Sequence, residues 1–504
     1  MILSKRPLLF LLIVMSSFGL RATNYYVSNS GSNLNTGLSL RGNAFLTIQH
    51  AANLVIAGDT VFVENGTYKG LDLRNVNGTA VNPIVFKGIG NNVLINQSGP
   101  LRDDGINIEN ADYIIIDGFT INNMKGSGNG IRMVLSDNCI IRNCSCDNNA
   151  RRGIFTGFTD DIIIEYNICT NSVGEHGIYV SNSSDRPIIR FNECYGNNKI
   201  GIHLNGDLSA GGDGIISDAL IYDNIIHNNN LSAGINMDGL QNPVVYNNLI
   251  YNNHKAQGIA LFQQDGAIVT NGAKIYNNII IVPSDGRWGI LVKDGANNNT
   301  EIYNNIIINQ HSFRGSIIAE DVSQFTSNNN ILNDKMSYTD EGNVISLAAW
   351  QALELDTNSL LANPINSIFV SPTLNDFNSA KGSQAIDTGS NRISKIVTDD
   401  INENTIPMGI DYDTGSFEFD STLSTSNNVP LFKDIVVYPH PTSDILKTDI
   451  NNLNKIILYD ITGHFIKIIE PKSIIDFGKL SKGTYLLKFK SNEREFITKV
   501  IKKY

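Results

Sequence analysis

His203 and Tyr179 supply an imidazole and a phenol that can take and give a proton, and amides stand near them at Asn205 and Asn236. Carboxylates occur at Asp207 and Asp238, with Asp213 and Asp265 in glycine-rich stretches. Arg151, Arg152, His176, Lys199, Gln264 and Lys293 add cations, a second imidazole and a further amide. Elimination across a uronic acid needs a base such as His or Tyr, an acid, and a cation or amide that offsets the carboxylate. In that chemistry His203 and Tyr179 are base and acid, the cations hold uronates, and Asn205 and Asn236 are amide donors. Epimerisation uses the same groups without breaking the chain. Glycoside hydrolysis instead needs two carboxylates, about 5–5.5 Å apart for retention or about 6.5–9.5 Å for inversion. Asp207, Asp213, Asp238 and Asp265 are the candidates for that pair. Each residue also has a plainer reading. A histidine on a strand face is more often hydrogen-bonded than catalytic, and a tyrosine there packs against its cross-strand neighbours. Asp-Gly pairs such as Asp238-Gly239 make turns, and His176 then only orients a corner.

A repeat joins these residues. A Gly-Ile step recurs about every 24 residues, at Gly105, Gly130, Gly153, Gly177, Gly201, Gly234, Gly258 and Gly289. A fixed period of this size marks a solenoid, whose coils bury apolar surface against their neighbours. After each Gly the apolar residues alternate, as in Ile178 and Val180, or Ile202 and Leu204. Period two is the strand period. A second apolar run follows, as at Ile188-Ile189 and Ile221, and then a third, as at Ile225-Ile226. Three short strands per coil with Asn, Gly and Asp corners predict an all-β fold, a parallel β-helix. A leucine-rich horseshoe is the nearest rival, but Leu is sparse.

The step is also a ruler. The first and third residues after Gly point inward, the second and fourth outward. The second outward row reads Asn107, Arg132, Phe155, Tyr179, His203, Asn236, Ala260 and Leu291. The fourth sets Ser181, Asn205 and Asp238 side by side. Tyr179, His203, Asn205, Asn236 and Asp238 therefore share one outward patch on successive coils. Two intervals are long, 33 residues from Gly201 to Gly234 and 31 from Gly258 to Gly289. Their insertions, around 206–214 and 263–267, are expected to wall a cleft beside the patch. Two ladders check the register. Asn167, Asn192, Asn224, Asn248, Asn278 and Asn305 fall at one corner, where amides bond from coil to coil and tolerate left-handed angles. Cys146, Cys169 and Cys194 fill the inward slot that Ile226, Ile250, Ile280 and Ile307 fill later.

The formal net charge of -11 argues against general nucleic-acid binding. Lys5 and Arg6, an apolar run over 7–15 and small residues to Ala22 predict a signal peptide over 1–22. That run is too short to span a bilayer, and no later segment reads as transmembrane. Five cysteines in an exported chain admit disulfides. The three that stack inward read better as small apolar residues. No Cys-x-x-Cys or Cys/His spacing marks a metal site.

The ends of the chain resemble known families. Asn24-Tyr25-Tyr26-Val27-Ser28, Phe45-Leu46-Thr47-Ile48-Gln49, Ala57-Gly58-Asp59-Thr60-Val61 and Gly66-Thr67-Tyr68 resemble the opening of secreted bacterial right-handed parallel β-helix proteins, in the pectate-lyase-like superfamily. Gly382 to Gly389 and Met408 to Glu418 resemble the segment that ends many of them. The resemblance implies a right-handed β-helix over 23–420, with a cap over 24–70 closed by a helix at 47–56, coils over 84–333 and a closing segment over 334–420. It also implies a polysaccharide substrate. Calcium is a cofactor the resemblance allows, but the sequence shows no ligand cluster for it, nor the Asn-Thr-Asp and Asp-Asp motifs of polygalacturonase-like hydrolases. Residues 421–430 read as a linker. From Tyr438-Pro439-His440-Pro441 through Leu458-Tyr459-Asp460-Ile461-Thr462-Gly463 to Lys482-Gly483-Thr484-Tyr485, residues 431–504 are similar to the C-terminal sorting domain of the type IX secretion system of Bacteroidota, with His440 where Asn is usual. Read bottom-up, that segment is a small antiparallel β-sandwich. The similarity implies a secreted or cell-surface protein with the type IX machinery as partner. Together these readings predict an exported carbohydrate-active protein. A polysaccharide lyase is favoured over a glycoside hydrolase, and a non-catalytic glycan-binding or adhesion solenoid is the competing class.

Overall fold

Isoleucine at the first position after each repeat glycine turns inward. Ile106, Ile131, Ile154, Ile178, Ile202, Ile235, Ile259 and Ile290 are all 0% exposed and pair in parallel from coil to coil. A computed structural model describes residues 22–420, except 294 and 297, and parts of 437–502. The expected signal peptide lies outside the described residues but for Ala22, and the expected linker lies wholly outside them. Contacts divide the chain into one unit through Ser421 and another from Thr422.

The Gly-Ile strands form a sheet of twelve strands, from Leu71–Arg74 to Val344–Ile345, parallel except for its final pair. The other two rows of strands join in one sheet of 22 strands. They merge because the long strand Ile84–Gln97 turns the corner, pairing with Ile114–Asp117 near its start and Thr120–Asn122 near its end. Coil pairing starts earlier than the expected residue 84, since Asn24–Val27 already pairs with Thr60–Lys69. The capping helix is Ile48–Ala52, shorter than expected, with the Thr47 side chain accepting from the His50 N–H.

The repeat glycine has a steric cause. A Cβ on Gly177 would lie 2.8 Å from the Gly201 carbonyl oxygen and 2.9 Å from Asn197 Nδ2. No side chain fits between coils there.

The Asn ladder forms as expected. The Asn192 amide donates to Asn224 Oδ1 at 3.1 Å, Asn224 to Asn248 at 3.0 Å and Asn248 to Asn278 at 2.9 Å. The left-handed residue is not the ladder Asn but the one before it: Tyr166, Phe191, Asp223, Asn247, Asn277 and Asn304 all have φ between 50° and 58°. A second ladder, not foreseen, runs through Asn197, Asn229 and Asn253. Beside it, Cys146, Cys169 and Cys194 stack in register, and all five cysteines are buried free thiols.

The first ladder ends at Asn330, whose amide donates to the buried Asp356 carboxylate at 2.8 Å. Asp356 also accepts from Ser359 Oγ at 2.5 Å and Trp350 Nε1 at 2.8 Å. Trp350, on the helix Leu347–Gln351, is fully buried against the end of the core.

The closing segment then doubles back along the solenoid, which its loss of period did not reveal. Ile368, Phe369, Phe377, Ala385 and Phe417 bury the outward faces of Leu249, Ile279, Ile306 and Ile331. Further on, Ile393, Val397, Ile406 and Tyr412 cover Tyr276. The Asn247 amide donates to the Asp399 carbonyl at 2.6 Å, and Tyr166 donates to Glu403 at 3.2 Å.

In the C-terminal unit the described strands form antiparallel sheets of three and four strands. Leu446, Ile456, Phe477, Leu487 and Val500 close a shared core between them. This is the expected small sandwich.

Candidate functional site

The strands Ile154–Gly157, Ile178–Ser181, Ile202–Asn205 and Ser232–Asp238 place the outward patch. Tyr179 pairs with His203 and His203 with Asn236, while Ser181, Asn205 and Asp238 align in the next outward row. The expected register holds residue by residue.

Tyr179 sits at the centre. One neighbour is the His203 ring, stacked at 4.7 Å and 20°. Another is the Arg152 guanidinium, 4.6 Å from the ring centroid and 4.8 Å from that of Phe155. The Asn205 amide donates to the Tyr179 hydroxyl at 3.0 Å. Burial raises the Tyr179 pKa above its ordinary value, against the pull of Ser181, Asn205 and Arg152. Glu175 binds Arg152 at 2.5 Å and Arg151 at 3.3 Å. Its clamping role was not legible in sequence, because it depends on side chains from two coils.

The two histidines form a relay. The Ile200 N–H donates to His176 Nδ1 at 3.4 Å, so the His176 proton sits on Nε2. That nitrogen lies 3.3 Å from His203 Nδ1, which must accept. The assignment follows from the network. It leaves the His203 proton on Nε2, a buried atom with no protein partner. Burial, then Arg152 and Lys199, push His203 down to about 3. His176 falls well below its ordinary value through burial, His203, Arg152 and Lys199. Both imidazoles are neutral at physiological pH.

Not every expected residue joins this network. Asp238 is 1% exposed and spends its carboxylate on the backbone N–H groups of Gln264, Asp265 and Gly266, at 2.8, 2.9 and 3.2 Å. It anchors a loop and presents no free carboxylate for catalysis. Asp207 caps the short helical turn Leu208–Ala210, accepting from the Ser209 N–H at 3.1 Å. Lys293 follows the strand Ile290–Val292, three coils beyond His203, and pairs with Glu320. At about 4.8 Å per coil it lies too far away to share a sugar with Tyr179. Asn236 stays beside His203 and is 5% exposed. The two insertions do meet beside the patch, where the Leu208 N–H donates to the Asp265 carbonyl at 2.9 Å and Ala267 to Gly214 at 2.8 Å. The Asp265 carboxylate accepts from Asn205 at 3.3 Å, tying that wall to the site. Arg151, Gln264 and Asp265 are exposed at its rim, and Lys199 is half-buried.

Residues 52–256 match the family described as periplasmic copper-binding protein (NosD). Residues 436–503 match the secretion system C-terminal sorting domain. A sequence comparison with curated proteins finds no match. Among solved structures, pectate lyase Pel9A is similar at a TM-score of 0.56 and 15% identity, covering 79% of this chain and 97% of that one. Alginate lyase from Paenibacillus sp. str. FPU-7 is similar at 0.40 and 17%, over 53% of this chain and 93% of that one. The periplasmic alginate epimerase AlgG gives 0.35 and 14%, over 54% and 80%. At these identities the likeness is one of fold. The first unit is a parallel β-helix with the fold of pectate lyase Pel9A, and the C-terminal sorting-domain match indicates type IX secretion to the cell surface or beyond. Among the described residues no helix is long and apolar enough to cross a membrane.

Copper does not fit the side chains present. Among the described residues no group of three or more His, Cys, Asp or Glu is placed to hold a metal ion. His176 and His203 bond to each other, and the cysteines lie in the core.

Proposed function

We propose that this protein is an exported polysaccharide lyase that cleaves a uronate-containing glycan by β-elimination at the Tyr179–His203 face. The observation that carries this reading is the packing of one phenol between an arginine and a neutral imidazole whose Nε2–H has no protein partner.

The relay supports a division of roles. Because His203 Nδ1 already accepts from His176, its ring offers a donor rather than a lone pair. Arg151 and Lys199 at the rim pair with the uronate carboxylate, and the buried His203 Nε2–H donates to it once substrate entry uncovers the ring. Tyr179 is the proton carrier. Its oxygen takes the proton beside the carboxylate, a ring double bond forms, and the bond from the ring carbon to the glycosidic oxygen breaks. The departing oxygen then receives a proton from the same phenol. Arg152 and Asn205 favour the phenolate that the first step requires. This differs from the first expectation, in which His203 was the base.

A hydrolase fits less well, because Asp238 and Asp207 are committed to a loop and a turn. A purely glycan-binding solenoid draws support from one observation: Tyr179, Arg152 and Asn205 are each less than 9% exposed, so substrate must reach them through His203 and the rim.

The test is a panel of uronate and neutral glycans, read by ultraviolet absorbance of the new double bond and by new reducing ends. Absorbance on a uronate glycan is expected, falling about 100-fold or more in Tyr179→Phe. Absence of both signals across the panel defeats the enzyme reading.

A further inference from the structure

A second cleft lies on another side of the solenoid, where the returning segment crosses the corner between the second and third strand rows. Its volume is about 390 Å³, within the range of about 300–1,000 Å³ that holds small ligands. We propose that this cleft binds a neutral pyranose unit of a glycan, independently of the Tyr179 face.

The cleft arises from a break in an aromatic ladder. Tyr166 and Phe191 stack at 4.7 Å and 6°, one residue beyond the paired strands. In the next coil the same left-handed corner position holds Asp223. The row of rings stops there, and the space of one ring stays open beside Phe191. Tyr222 and Tyr246, stacked at 4.6 Å, form the adjoining wall, with Tyr222 edge-on to Phe191 at 6.1 Å. Such a pocket matches the C–H faces of a sugar.

Its polar groups match hydroxyls. Asp223 is 9% exposed, and its Oδ1 atom has no hydrogen-bond partner. Burial, with Asp400, Glu403 and Asp399 adding to it against a bond from Asn247, lifts Asp223 to about 8, so its carboxyl keeps a proton at neutral pH and can donate as well as accept. Thr398, Asp399 and Glu403 line the opposite side. The cation present, Arg190, is held by Glu165 at 2.7 Å and by the Tyr222 hydroxyl at 2.8 Å. With that charge matched and several acidic groups around, a uronate or phosphate is repelled, whereas a neutral polyol is welcome.

The experiment is ligand-observed NMR titration of the mature protein with methyl glycosides of neutral hexoses and pentoses. A uronic acid and choline serve as charged comparators. A neutral glycoside is expected to bind, and Phe191→Leu and Asp223→Ala are each expected to weaken it about tenfold. Thermal unfolding confirms that both variants fold. Tyr179→Phe should leave this binding unchanged while removing elimination, so the two sites fail separately. Binding of no neutral glycoside, preference for the uronate or for choline, or undiminished binding in both folded variants would overturn the proposal.

Discussion

Tyr179 and His203 face each other as rings, yet their ionisation separates them. His203 is held neutral down to about 3 by burial and by Arg152 and Lys199, so it should contribute no inflection to a pH–rate profile between about pH 5 and 8. The buried Tyr179 titrates above its ordinary range. As a base it must lose its proton, so kcat/KM should climb with pH through the alkaline range with no inflection from histidine. A rate profile with a midpoint near the usual histidine pKa, abolished in His203→Gln, would make His203 the titrating base instead. The residue types and their neighbourhood were legible in the sequence, because the register rides on a glycine that recurs from coil to coil until Ser316 takes its place. The tautomers were not. They depend on one backbone N–H, that of Ile200, reaching across a coil to His176. Asp238 misled for a similar reason: an Asp-Gly pair reads as a turn or a site, and only the loop at 264–266 decides between them.

Each corner asparagine serves two coils. Asn224 Nδ2 reaches the Ile189 carbonyl and Asn248, and its Oδ1 accepts the Asn192 N–H at 3.0 Å. Replacing Asn224 with Ala strands buried partners on both sides. We expect a loss of about 1–3 kcal/mol or more in denaturant unfolding, several times that of an exposed Asn such as Asn198. Equal costs at the two positions would show that the ladder is decoration. The ladder was readable because its partners lie one period apart. The second ladder escaped notice because Ser172 interrupts its pattern, although the Ser172 N–H still donates to Asn197. The doubled-back segment left no periodic trace at all, since its contacts span long separations, such as Asn304 with Ser390.

Across the β-helix unit, the inward faces build one core and the returning segment builds others on the outside. A pure solenoid depends only on neighbouring coils. This one also has a strap that binds distant coils together, from Asn304 back to Tyr166. Its far end is closed differently. The Asn330 amide meets Asp356, whose carboxylate accepts three donors and has no N–H to pass onward. An open row of amides is a template for another molecule of the same kind. Ending the row on a carboxylate, beneath the Trp350 plug, leaves no such template. The double variant Trp350→Ala/Asp356→Asn restores an amide at an uncovered end. It should form concentration-dependent oligomers in sedimentation velocity, and a folded variant that stays monodisperse would sink the idea. On that expectation, the single acid at the end of the ladder is the chain terminator of a molecule built by repetition.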